Sequence, residues 1–381
     1  MMTNEATKQR KALHLAAGLL LGLTSGIAQP NPTGELVLEG AADFVRNGAT
    51  LTVTNSPGTI IQWDQFNIEV GETTHFDQQS AQSAVLNRVG DVNPSQIFGR
   101  LTSDGQVFLI NPNGVVFNEG SQVDVAALVA SSLGLSNQDF LNGAFNFTGD
   151  ADAGSVDNVG ALKAGVNGVG GNVILIAPKV NNKTGGAIEV GAGGNIVLAA
   201  GQQLTLADWS NPTVQFQLRA AADQIINAGQ LNAAGGAARL FAGAIEHSGG
   251  IQADSVSVDA AGVVELFASD AITLGSAASI QANGANAISG APGGSIHIES
   301  ESGAVTVAGQ ISAVGSQAQG GGIKILGDTI AMQASAALDA SGDTGGGVIL
   351  VGGGAHCRFP VAIPCSSPSW TVSRVGLRPS Q

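Results

Sequence analysis

The sequence predicts an all-β chain wound as a right-handed parallel β-helix, a solenoid, with a distinct capping segment at its N-terminal end. Three observations predict it. Paired glycines followed by a short aliphatic run recur at a spacing in the twenties, and no stretch shows the i, i+3, i+4 apolar pattern of a helical repeat. The composition agrees: 44% hydrophobic residues and 55 glycines stand beside only 4% aromatic and 12% charged residues. Disorder goes with low hydrophobicity and high charge, so an aliphatic, charge-poor chain must pack.

The repeats lie in residues 151–354. Gly170-Gly171-Asn172-Val173-Ile174-Leu175-Ile176 returns 23 residues later as Gly193-Gly194-Asn195-Ile196-Val197-Leu198-Ala199. Gly293-Gly294-Ser295-Ile296, Gly321-Gly322-Ile323 and Gly346-Gly347-Val348 follow at offsets of 28 and 25. Fixing one coil costs roughly 1 to 2 kcal/mol per residue in backbone entropy, while its four or five aliphatics return about 1.5 to 3 each. A coil therefore folds only when stacked on others. The Leu frame of leucine-rich repeats and the tandem Gly-Gly-x-Gly-x-Asp of calcium rolls are both missing.

Residues 30–150 have a different texture. Glu35-Leu36-Val37-Leu38, Thr50-Leu51-Thr52-Val53, Thr59-Ile60-Ile61-Gln62-Trp63 and Gln106-Val107-Phe108-Leu109-Ile110 read as strands. Between them Ser56-Pro57-Gly58, Ser103-Asp104-Gly105 and Asn111-Pro112-Asn113-Gly114 carry turn chemistry. In the last of these Pro112 presets φ at the first central position, Asn111 can accept from the backbone two residues on, and Gly114 tolerates positive φ.

Ahead of that zone, residues 1–28 read as a signal peptide. Lys8, Arg10 and Lys11 precede the apolar run 12–23, and Gly26-Ile27-Ala28 offers the small residues of a cleavage site after Ala28. The run is shorter than the roughly 20 residues a spanning helix needs, and later apolar stretches are broken by Gly, Asn or Asp, so no stable membrane insertion is expected. Residues 355–381 break the repeat: His356-Cys357-Arg358-Phe359-Pro360 reads as a frame-shifted or truncated ending, a divergent natural tail being the alternative. The two cysteines, Cys357 and Cys365, both fall there, which suits transit through an oxidising periplasm as well as it suits chance.

A net charge of -14 with only 15 Lys and Arg excludes a phosphate-tracking surface, so no nucleic-acid partner is expected. No catalytic pair emerges either: Asp64, Asp77, Asp91 and Asp104 are scattered among turns rather than paired on one face. His75, His247 and His297 have no second ligand at metal spacing, and Gly168 to Gly171 lack the Lys-Ser or Lys-Thr of a phosphate loop. No enzyme activity, metal or cofactor is expected.

Several ordered blocks carry a family resemblance. Leu86-Asn87-Arg88-Val89, Asn93-Pro94-Ser95-Gln96-Ile97-Phe98-Gly99-Arg100-Leu101 and the stretch from Gln106-Val107-Phe108 through Asn111-Pro112-Asn113-Gly114 to Val115-Val116-Phe117 closely resemble the secretion domain of two-partner exoproteins related to filamentous haemagglutinin. Trp63-Asp64-Gln65-Phe66-Asn67-Ile68 and Asp139-Phe140-Leu141-Asn142-Gly143 extend the resemblance to residues 32–147. The family carries two Asn-Pro-Asn motifs, one ending in Leu and one in Gly; the second stands at Asn111 to Gly114, and Val92-Asn93-Pro94-Ser95 occupies the place nearest the first. The resemblance implies that Asn111, Pro112, Asn113 and Gly114, with Asn87, Arg88, Val89, Pro94, Ser95, Gln96, Ile97 and Gly99, shape an export signal. Its reader would be an outer-membrane barrel transporter with periplasmic docking domains. It further implies a protein secreted from, or displayed on, a Gram-negative bacterium after passing the periplasm, with adhesion to a host-cell or neighbouring-cell receptor as the leading role. A stalk for a toxin or contact-dependent inhibition effector, and a carbohydrate-active β-helix enzyme, are the alternatives.

Overall fold

The computed structural model describes residues 31–218, 220–285, 290–352 and 371–373. The expected signal peptide, its cleavage point at Ala28, both cysteines and most of the atypical tail lie outside the described residues. What is described is the expected right-handed parallel β-helix, 58% strand and 2% helix.

The coils stack their strands on three faces, and in two later coils one continuous strand, Ala237–His247 or Val263–Leu274, runs through both the second and the third. The first face stacks Thr50–Asn55, Thr73–Asp77, Arg100–Ser103, Gln122–Val125, Ala161–Val169 and Ala187–Ala192 in parallel and continues to Ala337–Asp339. The second runs from Thr59–Trp63 through Ala84–Val89, Gln106–Ile110, Ala127–Ser131, Asn172–Ala177 and Asn195–Ala200 to Val348–Val351. The third begins with Ile68 beside Ile97 and stacks Ser95–Ile97, Val115–Phe117, Val156–Asn158, Lys179–Asn182 and Gln224–Asn227.

Alternation along each strand sends every second side chain inward, and parallel register places like on like. Leu101, Val123, Leu162, Ile188, Leu231, Ile251, Ile280 and Ile311 form one such buried column. Thr74 interrupts that column in an early coil, and its hydroxyl donates to Asn31 Oδ1 at 3.0 Å. Asn31 itself holds φ at 67°, donates its backbone N–H to Glu72 Oε2 at 2.8 Å and its amide to the Ala49 carbonyl at 3.0 Å. The start of the described chain is thus sewn into the first coils by polar bonds, while Leu36–Glu39 and Ala42–Asn47 pair antiparallel with the first coil and cover its otherwise open edge.

The first pair of glycine repeats stacks as its spacing predicts, Asn172 opposite Asn195. The later three do not: Ser295 pairs with Gly322 and Gly322 with Val348, so the coils advance one residue differently from the offsets of the glycine pairs. The aliphatic column decides. Ile296, Ile323 and Ile349 align inward, and a one-residue slip would turn all three to solvent. The aligned glycines are Gly294, Gly321 and Gly347, and a Cβ at Gly347 would sit 1.9 Å from the Gly321 carbonyl oxygen. Close backbone approach at the corner, rather than a special φ, requires glycine here.

Two insertions leave the coil and meet outside it. Gly134–Leu135, Phe145–Thr148, Gln203–Ala207 and Thr213–Leu218 form an antiparallel sheet over the second face, joined by a five-residue helix, Asn137–Leu141, whose N-cap Ser136 accepts from the Asp139 N–H at 3.0 Å. This flap explains why Asn172–Ala177 and Asn195–Ala200 are buried along their whole length instead of at alternate positions. Ile60, Leu86, Phe108, Ile174 and Val197 point outward into a second core against Phe140, Phe147 and Leu204. Phe108 meets the Phe140 ring edge-on at 5.2 Å, and Phe145 lies 4.9 Å from Trp209. The flap joins segments on both sides of residue 150, since Phe145–Thr148 pairs with Gln203–Ala207.

A buried amide ladder runs along the corner between the third and first faces. Asn158 donates to Asn182 Oδ1 at 2.9 Å, Asn182 to Asn227 Oδ1 at 2.8 Å, and Asn227 faces His247 Nδ1 at 3.1 Å. Replacing Asn182 with alanine strands a donor above and an acceptor below, and we expect denaturant unfolding to show a loss on the order of 2 kcal/mol. A loss near zero would mean that water takes over both groups.

Candidate recognition site

The corner between the second and third faces gathers the motif residues. Asn111-Pro112-Asn113-Gly114 closes a turn there, the Gly114 N–H donating to the Asn111 carbonyl at 2.9 Å and the Asn113 N–H to Asn111 Oδ1 at 2.9 Å. Gly114 has φ of 109°, and a Cβ on it would meet the Ser155 carbonyl oxygen at 2.6 Å. Pro at the first central position and Asn ahead of it fit this turn for the reasons the sequence suggests.

One coil earlier, Val92-Asn93-Pro94-Ser95 turns the same corner, and the two turns are bonded to each other. Asn111 Nδ2 donates to the Asn93 carbonyl and to Ser95 Oγ, both at 3.0 Å. Asn113 Nδ2 donates to the Asp91 carbonyl at 2.7 Å, and the Ser95 N–H to the Gly114 carbonyl at 3.0 Å. On the far side the Gly154 N–H donates to the Pro112 carbonyl at 2.8 Å, which places a third coil against the pair. Along the adjoining third face Asn67 Oδ1 accepts from the Gln96 N–H and Asn118 Nδ2 donates to Gln96 Oε1, tying three coils together.

Burial divides the motif residues into two groups. Asn87, Val89, Ser95, Ile97, Gly99, Asn111 and Gly114 are buried. Asn87 accepts from the Trp63 indole N–H at 2.9 Å inside the coil, and Gly99 leaves no room for a Cβ, which would lie 2.4 Å from the carbonyl oxygens of Glu69 and Glu72. Arg88 points outward to the flap, where its guanidinium donates to the Leu135 carbonyl and to Asn137 Oδ1. Pro112, Asn113 and Asn93 are exposed, Pro94 and Gln96 half-buried, and Val92 beside them is 83% exposed. Val92 opens the block that stands nearest the first motif and Asp91 reads as a turn residue, but that the Asp91 carbonyl receives Asn113 from the next coil depends on register, beyond the reach of any local signal.

Of the scattered aspartates Asp77 ends a strand, Thr73–Asp77, instead of sitting in a turn, while Asp91 and Asp104 do sit in turns. Asp104 Oδ1 accepts from the Gln78 N–H at 2.7 Å and Asp91 Oδ1 from the Asn93 N–H at 3.0 Å. Among the described residues no group of three or more His, Cys, Asp or Glu gathers where a metal could sit, and no helix is long and apolar enough to cross a membrane.

The TPS (two-partner) secretion domain family matches residues 28–266. The chain belongs to that family. Its match extends past the stacked corner, through the flap and into the seventh and eighth coils. Among solved structures, this TPS domain is similar to the HMW1 secretion domain from Haemophilus influenzae, with a TM-score of 0.72 and 29% identity over 84% of this chain and 94% of that one. Among curated proteins it is 34% identical over 188 residues to a heme/hemopexin-binding protein of Haemophilus influenzae strain Rd, covering 48% of this chain and 21% of the relative. A second protein of that name from Haemophilus influenzae is 36% identical over 88 residues, 23% of this chain and 10% of the relative. The matches thus span about a fifth of those relatives' length or less. Exoproteins of the two-partner type are secreted across the outer membrane of Gram-negative bacteria, and the family is defined by its secretion domain.

Proposed function

We propose that the corner built from Val92-Asn93-Pro94-Ser95 and Asn111-Pro112-Asn113-Gly114 is the export signal that periplasmic docking domains of an outer-membrane barrel transporter read. The stacking of two Asn-Pro turns from successive coils on one corner carries this reading. Their inward Asn and Ser side chains fix the geometry, and Val92, Asn93, Pro112 and Asn113 face outward for a partner. A chain exported unfolded would form these coils again outside, under the antiparallel cap, and each stacked coil would oppose return through a narrow pore. The remaining coils would then stand as a non-enzymatic, adhesin-like stem at the cell surface, long faces outward.

A photo-crosslinking amino acid at Asn113 tests the reading. In cells making the cognate transporter, position 113 should capture its periplasmic domain, while the exposed Val258, on a later coil, should not. Equal capture at both positions, or none at 113, would remove the corner from transporter recognition.

A further inference from the structure

The outer side of the first face changes character along its length. In the early coils its central outward row reads His75, Thr102, Asp124, Lys163, Glu189, and Lys163 lies 3.6 Å from Glu189. From Gln230 the charges stop. Four successive coils present Gln230 and Asn232, Gly250 and Gln252, Ser279 and Gln281, Gln310 and Ser312, in register, before Asp339 restores a carboxylate. In a chain of net charge -14, eight consecutive outward positions without an ionisable group form a distinct surface.

That surface has a shaped centre. Gly250 lets the Gln230 amide fold over it, Gln230 Oε1 lying 2.0 Å from where a Cβ would stand, and a groove of about 250 Å³ runs alongside, lined by Gln230, Ser248, Gly250, Gln252, Ser279 and Gln281. Some of the amides are held in place: Gln281 Nε2 donates to Ser279 Oγ at 3.2 Å and Gln252 Nε2 to Asp254 Oδ2 at 2.6 Å. Asp254, half-buried at the edge, is engaged on its other oxygen by the Asn283 N–H at 2.7 Å. The Gln230 amide has no protein partner among the described residues.

We infer that this row binds a neutral polysaccharide along the helix axis. Amides and hydroxyls each donate and accept, which is the inventory that sugar hydroxyls need. Coils repeat about every 4.8 Å, so equivalent amides recur at intervals comparable with the advance of one sugar unit in an extended glycan. The rows offer no aromatic or aliphatic side chain to an apolar partner. The chain's strong negative charge repels acidic glycans and second copies of itself alike, and the uncharged row offers a basic polymer no carboxylate to pair with, which leaves an uncharged polymer as the occupant.

The full exported chain can be tested by affinity electrophoresis in gels containing amylose, mixed-linkage β-glucan or galactomannan, with alginate as the acidic control. Retardation by at least one neutral polymer and none by alginate is expected. Two variants probe the face by different means: Gln252→Glu with Gln281→Glu places like charges on the row, and Gly250→Gln displaces the Gln230 amide and crowds the groove while keeping it neutral. Each should weaken retention about tenfold, the scale of one or two lost hydrogen bonds, with melting curves matching the parent; if either melts early, the exposed truncation Gln230→Ala replaces it. The inference is overturned by no retardation in any of the three neutral gels, by retention unchanged in the variants, or by preference for alginate. It is equally overturned if sedimentation shows that the parent self-associates through this face and the variants do not. None of these outcomes touches the transporter reading, which concerns a different corner.

Discussion

A chain carrying Pro112→Ala and Asn113→Ala should fold close to normally and yet accumulate in the periplasm, with export reduced tenfold or more. The stability side of this expectation is small. Asn113 loses one exposed hydrogen bond to the Asp91 carbonyl, worth about 0.5 to 1.5 kcal/mol, and Pro112 loses only its preset φ, worth about 0.4 to 1 kcal/mol. The recognition side is large, because two of the corner's four outward side chains vanish together, and truncating an interface hot spot costs about 2 kcal/mol or more. Asn111→Ala makes an instructive contrast. That residue is buried and holds Asn93, Ser95 and Asn113 at once, so its loss should both lower the melting temperature and block export. Periplasmic and medium fractions, quantified beside melting curves, separate the two cases. Normal export of the double variant would show that the corner is a structural turn only.

The contrast between Asn111 and Asn113 also shows how far the sequence could be read. Turn chemistry at positions 111 to 114 was legible residue by residue, because Asn, Pro and Gly each act locally. That the neighbouring turn at 92 to 95 stacks beneath it was not, since the pairing depends on coil register, which no local signal states. The same limit explains the one-residue difference in the later repeats: glycine pairs mark a corner only to within a residue, and Ile296, Ile323 and Ile349 fix the alignment. The solenoid itself was legible from its period. The flap was not, because Gly134–Leu135 is two residues long and Asn137–Leu141 barely more than one helical turn, too short for either periodicity to register. Its trace lay in the unbroken apolar runs at 173 to 176 and 196 to 199, which alternation would have interrupted had one side faced water.

Acid should destabilise this β-helix through His247. The ring is 1% exposed and ends the amide ladder, with Nδ1 3.1 Å from both the Asn227 amide and the Asn227 carbonyl. Burial pushes its pKa down from 6.5 to about 4, against the weaker pull of backbone groups at Asn227 and Ser279. A histidine held neutral by the fold binds a proton more readily once unfolded, so between about pH 6.5 and pH 4 the unfolded chain carries more protons and stability falls as pH falls. The full effect, reached below about pH 4, is on the order of 3 kcal/mol, and above pH 6.5 it vanishes. Half-buried His297 shifts the same way, chiefly by burial and then by Lys324, and carboxylates add their own acid dependence, so the test needs a matched variant. His247→Asn extends the ladder with the side chain its three predecessors use, and removes the titration. Denaturant unfolding at pH 7 and pH 4.5 should show a smaller acid loss in the variant than in the parent, by about 2 kcal/mol. Parallel losses in both chains would mean that the ring is protonated inside the fold, and that the ladder tolerates a charge at its end.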